Sequence, residues 1–379
     1  MAIFSASSKQ EDAALAVSDL TTSLGNQPYA LILFFCSTRY DLQQLGASLE
    51  AAFPGASVLG CSSAGELSNQ GYRDDSITAI GFDSADNFVA ESLVNNIAEF
   101  SLADSQELVD QLVFQCESQG VAHTNNHTLA ISLLDGLSIL EEQFLQVVNA
   151  CLGHIPLLGG SAGDDLHFDH TELYYHGQIH SNAAILILIN TRHPFTPFSH
   201  HHLLPKQEKL VVTAADTRQR RVFELNGLPA AEEYARLCGC NTNELSEMHF
   251  ALHPLTIKIG DNYYARSVQQ AHTDQSLSFY SAIEIGLVLT AATAGQLVEL
   301  TQQWLDEAQQ SSGAVELVLT FDCILRRLEI QQKKLLPAMN KILATYKLAG
   351  FSTYGEQMGG SHLNHTFTGV YFGALKHEQ

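Results

Sequence analysis

The regular exchange of short, continuous apolar runs with stretches of helical periodicity constrains this chain most. Ala30–Cys36 and His127–Leu134 are nearly unbroken apolar runs, the pattern of strands buried on both faces. After the first of them Leu42, Leu45, Leu49 and Phe53 recur at helical spacing until Pro54-Gly55 stops the helix. Further strands are expected at 57–60, 76–82 and 87–93, and a helix at 102–119. Ser138 followed three residues later by Glu141 reads as a capping box opening a helix, with Leu140, Phe144, Val147, Val148 and Cys151 as its buried stripe.

From Leu157 to about Gly227 strands dominate, at 172–175, 179–189, 210–214 and 221–225. Pro229 then opens a short helix that stops at Gly239. Strands at 255–259, 263–268 and 277–283, a helix at 296–310, a strand at 316–321 and a helix at 331–346 follow. The glycine-rich stretch 350–373 closes the chain in an apolar strand. The simplest organisation is α/β: two α/β domains with mixed β-sheets flanked by helices, joined near 189–205.

Composition narrows the partners. The formal charge is −22, and a polyanion repels phosphate, which argues against nucleic acid or an anionic membrane as a broad binding surface. The apolar runs fall far short of the roughly 18–20 residues that cross a bilayer, and the N-terminus lacks a signal-peptide pattern. A cytoplasmic protein is expected. The seven cysteines form no CxxC pair and read as reduced thiols, Cys238-Gly-Cys240 included.

A short motif recurs in three places. Cys61-Ser-Ser-Ala-Gly-Glu66 and Phe351-Ser-Thr-Tyr-Gly-Glu356 share Ser-[Ser/Thr]-x-Gly-Glu, and Gly160-Ser-Ala-Gly-Asp164 carries Asp for Glu. Each follows an apolar segment, where glycine permits a tight turn and backbone N–H groups can face a ligand; a solvated glycine turn is the plainer reading. Gly159–Gly163 also matches G-x-S-x-G, but the sequence after it leads towards a strand and not the helix that a nucleophile elbow requires.

Histidine is unevenly placed. Of 17 histidines, eight fall between His167 and His202, where an even spread would put fewer than two. Asp165-Leu-His167-Phe-Asp169-His170 resembles the metal motif of metallo-hydrolases with Asp in place of the first His, so a metal-dependent hydrolase is the lesser alternative. The segment 191–205 mixes His193, His200, His201 and His202 with three prolines, Phe195, Phe198 and Arg192. Haem needs an imidazole as axial ligand, apolar walls and a cation for its propionates, and this segment offers all three. A solvated histidine run is the other reading.

These residues carry a family resemblance. Val58–Glu66, Leu157–Asp164, Glu224–Ala235 and above all Gly350–Gly369 are similar to the FIST family, and Ser199-His-His-His-Leu-Leu-Pro205 followed by Leu210–Thr213 resembles its nitric-oxide-sensing haem branch (NosP type). The resemblance implies a FIST N-terminal domain at 1–190, a His/Pro-rich interdomain segment at 191–205 and a FIST C-terminal domain at 206–379. It implies a non-enzymatic sensor: haem b held by His201, His202, His200 or His193, with Arg192, Phe195 and Phe198 around it. Nitric oxide would be the small ligand, and a histidine kinase or a diguanylate cyclase/phosphodiesterase the partner. A homodimer stays open. The alternative within the family is a non-haem sensor of an amino acid or similar metabolite, its pocket formed by Ser62, Ser63, Gly65, Glu66, Ser161, Asp164, Tyr354, Glu356 and Asn364.

Overall fold

The computed structural model describes residues 3–375, and its elements run in three successive copies of one pattern. Each copy is an edge strand, a helix, an inner strand, a helical crossover, a second inner strand parallel to the first, a short hairpin and a return strand. In repeat 1 these are Ile3–Ser8, Ala13–Leu24, Tyr29–Cys36, Leu42–Ala52, Ser57–Ser62, the hairpin Glu66–Ser68/Gly71–Arg73 and Ile77–Asp83. In repeat 2 they are Asn87–Val94, Leu102–Gln119, Thr128–Leu134, Glu141–Leu152, Leu157–Ser161, the hairpin Leu173–Tyr175/Gln178–His180 and Ala184–Thr191. Repeat 3 has Phe195–His201, Leu297–Ser312, Val315–Cys323, two crossover helices Ile324–Gln332 and Leu336–Thr345, Leu348–Thr353, the hairpin Gly355–Met358/Ser361–Leu363 and Thr366–Gly373. The helical crossover is what a parallel pair demands.

The repeats exchange their hairpins in a ring. The hairpin of repeat 1 pairs with Leu348–Thr353 of repeat 3, that of repeat 3 with Leu157–Ser161 of repeat 2, and that of repeat 2 with Ser57–Ser62 of repeat 1. Every repeat sheet therefore contains two strands borrowed from a neighbour, and no repeat closes its own sheet. The inner faces meet in one core: Leu31, Leu33 and Phe35 pack with Leu129, Ile131 and Leu133 and with Leu317, Leu319 and Phe321. Phe35 stacks on Phe351 with ring centres 4.3 Å apart. The outer faces are covered by each repeat's own helices. Burial on both faces explains why the inner strands read as continuous apolar runs.

Between the edge strand and first helix of repeat 3, Leu203–Ala294 builds a fourth, eight-stranded sheet with helices Ala230–Cys238 and Glu247–Leu252. Its first strand, Leu203–Asp216, pairs with its last, Val288–Ala294, so the inserted unit leaves the core where it enters.

The α/β class with mixed sheets flanked by helices is as the sequence implied, and the helix at 102–119 has those bounds. The segment 191–205 is not a connector. Phe195–His201 is a full strand bonded along its length to Thr366–Gly373, and Leu203 already begins the inserted sheet. The single helix expected at 331–346 is two helices starting at Ile324, separated at Lys334 with φ +57°. The strand expected at 179–189 is broken at Asn182, φ +51°, into a hairpin arm and a return strand. No capping box forms at Ser138, because the helix starts at Glu141, whose carboxylate is bonded to Arg220 of the inserted unit. No helix among the described residues is long and apolar enough to cross a membrane.

Candidate functional site

The three recurrent motifs occupy equivalent places: each follows the second inner strand of its repeat and leads into the exchanged hairpin or the loop before it. Their backbones interlock. Ala64 N–H donates to Ser352 O at 3.0 Å, Tyr354 N–H to Ser161 O at 3.2 Å, and Gly163 N–H to Ser62 O at 3.2 Å, a cycle through all three repeats. The motifs thus form the hub of the molecule.

Their acids face inward. Glu66 is fully buried and accepts from Ser63 Oγ at 2.5 Å and Ser76 Oγ at 2.5 Å. Burial outweighs those bonds and the nearby Arg327, and raises its pKa to about 8. Glu356 repeats the arrangement with Thr353 Oγ1 and with Thr366 N and Oγ1 at 3.1 and 2.9 Å; burial raises it to about 8 as well. Asp164 accepts from three successive backbone amides, Phe168 at 2.9 Å, Asp169 at 2.7 Å and His170 at 3.1 Å, and from the Tyr354 hydroxyl. Ser62 accepts from Glu172 N, Ser161 from Gln357, and Asn364 holds Ser281 and the Tyr354 carbonyl. The nine residues expected to line a metabolite pocket are brought together, but as the framework of the hub with their polar atoms engaged.

The open space lies beside them. A pocket of about 370 Å³ sits beyond the carboxyl ends of the two inner strands of repeat 1, the usual place for a ligand in an open α/β sheet. Repeat 1 contributes Ser37, Thr38, Arg39, Ala64, Asp74 and Asp75; repeat 2 contributes Asp165 to His167; repeat 3 contributes Ile324, Arg327, Leu328 and Gln331. Asp165 Oδ2 accepts from Ser37 Oγ at 3.0 Å, Thr38 N at 3.0 Å and Thr38 Oγ1 at 2.8 Å. Arg327, 2 % exposed, donates to Ala64 O at 3.1 Å and Arg73 O at 2.7 Å and pairs with Asp74. Carboxylates and guanidinium groups line one small cavity together, which suits a molecule bearing both charges. The sequence carried one trace of this wall: Arg326-Arg327 flanked by the apolar residues Ile324, Leu325 and Leu328.

The loop 164–170 accounts for the missing metal motif. Asp165, Leu166 and Phe168 all have positive φ, and the chain wraps tightly around the Asp164 carboxylate. His167 turns its Nδ1 to Asp164 O at 2.8 Å, while the Asp169 and His170 side chains are 86 % and 63 % exposed, so these groups do not converge on one point.

The haem residues do not converge either. His193 and His202 lie at opposite ends of one strand region. His193 bonds Gly373 O through Nδ1 at 2.8 Å and is 1 % exposed. His202 is fully engaged: Arg326 donates to Nδ1 at 3.2 Å, so Nε2 carries the proton and donates to Glu329 at 2.7 Å. Burial and Arg326 hold His202 below the usual histidine range. His200 is stacked on Trp304, 4.7 Å away, and His201 Nδ1 accepts from Leu203 N at 3.3 Å. Arg192 pairs with Asp86 on the surface, Phe195 packs on Phe372 and Phe198 on Phe367. An axial ligand needs a free nitrogen facing a cleft with apolar walls; His193 keeps Nε2 free of hydrogen bonds, but at 1 % exposure that nitrogen faces packed side chains and not an open cleft.

The fold and this geometry agree with what the chain is similar to. A model of the FIST N domain matches residues 30–228, and a model of the FIST C domain matches 230–359. The boundary between the two models falls inside the inserted unit. A relative, the uncharacterized protein MJ1623 of Methanocaldococcus jannaschii, is 24 % identical over 385 positions covering 90 % of this chain and 73 % of that protein.

Proposed function

The chain belongs to the FIST family of signalling sensor domains, and from that premise we propose that it senses a small zwitterionic metabolite, with amino acids as the first class to test, in the pocket between Arg39, Arg327, Asp75 and Asp165. The observation that carries the reading is the origin of the walls: one 370 Å³ cavity takes side chains from all three repeats beside the hub that interlocks them. A ligand bridging the walls favours whichever arrangement of the repeats fits it, and that difference in affinity is the signal. The reading is of binding without catalysis. Nitric-oxide sensing through haem is the second reading; His193, with Nε2 free of hydrogen bonds, is the imidazole that would serve it, once the packing around that ring opened. The output passes to a partner such as a histidine kinase or a cyclic-di-GMP enzyme, and the charge of −22 suits a basic face on that partner.

The test is a thermal-shift and calorimetric screen of the full chain against amino acids, with haemin titrated in parallel. A saturable shift that Arg39→Ala or Asp75→Asn weakens is the expected result. A stoichiometric haemin end point with a sharpened Soret band, and no amino acid response, overturns the reading.

A further inference from the structure

A second cavity, of about 240 Å³, lies on another side of the molecule, where the crossover helix of repeat 2, the exchanged hairpin of repeat 3 and the inserted unit meet. Glu142, Tyr264, Arg266 and His362 are among its walls. The charges there are unevenly matched. Arg220 takes both nearby acids, donating to Glu141 at 2.7 Å and to Glu142, and Glu142 also accepts from Ala282 N at 2.8 Å. Arg266 has no such partner. Its Nη1 reaches only the Ala265 carbonyl, at 3.0 Å, and its Nε is buried without a hydrogen bond. A guanidinium stays charged at any ordinary pH, so partial burial without an anion is costly.

His362 stands beside it in the same condition. The residue is 3 % exposed, and neither ring nitrogen makes a hydrogen bond; Nδ1 lies 3.6 Å from Glu142 Oε1. The fold makes room for this ring deliberately, since a Cβ on Gly355 would lie 1.7 Å from Nε2. Glu141, Glu142 and His362 could be taken for a metal site. Arg220 already bridges the two carboxylates and repels a cation, which argues against that use.

We propose that this cavity binds a small carboxylate anion on the Arg266 guanidinium, with His362 on the same wall. A guanidinium offers paired donors, the geometry a carboxylate accepts in a bidentate pair. A monoanion suits the site better than a dianionic phosphate, because Glu142 is also on the wall and repels the second charge. The ligand would tie the inserted unit to the repeat core, since Arg266 belongs to the first and His362 to the second. The site is independent of the hub pocket.

The experiment is calorimetric titration of the full chain with acetate and with lactate, with inorganic phosphate as counter-probe, repeated on Arg266→Gln and Arg266→Lys. Arg266 is only partly buried, so both variants are expected to fold, which circular dichroism checks. The expected result is saturable carboxylate binding that Arg266→Gln weakens about tenfold or more and Arg266→Lys only partly restores. Arg39→Ala leaves it unchanged, which separates this site from the hub pocket. Carboxylate binding that is absent, that survives Arg266→Gln intact, or that phosphate matches in the wild-type chain overturns the proposal.

Discussion

Gly65 lies directly beneath Arg327: a Cβ on residue 65, where φ is +109°, would stand 1.4 Å from Nη1. The glycine of the first motif is therefore the floor on which a buried guanidinium rests, as Gly355 of the third motif is the floor for His362. The shared glycine serves close approach as well as the turn.

Gly65→Ala is expected to displace Arg327 from the Ala64 and Arg73 carbonyls and to strain the turn, costing about 2–4 kcal/mol and closing the hub pocket. Urea denaturation measures the first effect. Unchanged stability would mean that Arg327 swings aside freely.

Glu66 and Glu356 set a pH dependence of definite sign. Both have folded pKa values of about 8, raised by burial from the ordinary 4.5, so the folded chain holds protons that the unfolded chain releases. Stability is highest below about pH 4.5 as far as these two are concerned, and is lost as pH rises towards 8, at up to about 1.4 kcal/mol per pH unit for each group. Denaturation curves between these limits should show the slope, and Glu66→Gln should remove about half of it. A flat profile for the wild-type chain would place both carboxylates in a wetter setting than the hub provides.

His202 belongs to a buried chain that runs from Tyr72 of the first hairpin through Asp322, Arg326 and Glu329 to Lys333. Burial pushes the Glu329 carboxyl up, but the bonds from His202 and Lys333 prevail and hold it at about 2. Its contribution is thus present above the ordinary value of 4.5 and lost as pH falls towards 2. His202→Ala leaves a buried carboxylate short of a donor and should cost about 3–5 kcal/mol, read by chemical denaturation at neutral pH. A haem ligand would behave otherwise, its loss removing a Soret band and leaving the apo fold as stable as before.

Local pattern carried much of this molecule. The apolar inner strands, the helix at 102–119 and the three recurrent glycine-acid turns were legible because each is set by a few adjacent residues. The ring exchange of hairpins was not, since strands such as Glu66–Ser68 are three residues long and their partner lies some 280 positions away. The surroundings of the histidine segment were hidden for the same reason. His202 and Glu329 meet across 127 positions, and His193 Nδ1 meets Gly373 across 180, contacts that no local pattern announces. Glu141 looked like a capping residue because Ser138 precedes it, whereas its real partner, Arg220, is on the inserted unit. The hub acids were found, but the open pocket beside them is lined by Ser37, Thr38, Arg39 and Arg327, which share no motif.

Trp304 gives a direct view of the remaining histidine. It is the chain's single tryptophan, and the His200 ring stacks on it at 4.7 Å and 16°. Burial lowers the His200 pKa below the ordinary 6.5, so the ring is neutral at pH 7 and its protonation is deferred to more acidic solution. An imidazolium quenches a stacked indole more strongly than an imidazole does. Emission should therefore hold steady through the ordinary histidine range and fall only at lower pH, and His200→Gln should abolish that step while leaving the unfolding curve near neutral pH within about 1 kcal/mol. The sign follows from the neutral ring being the buried form: His200 supports the fold above pH 6.5, and that support is lost as pH drops through its lowered midpoint. A fluorescence step centred at or above 6.5 would mean that the imidazole is not held in the stack, and would reopen this strand as a ligand-binding surface.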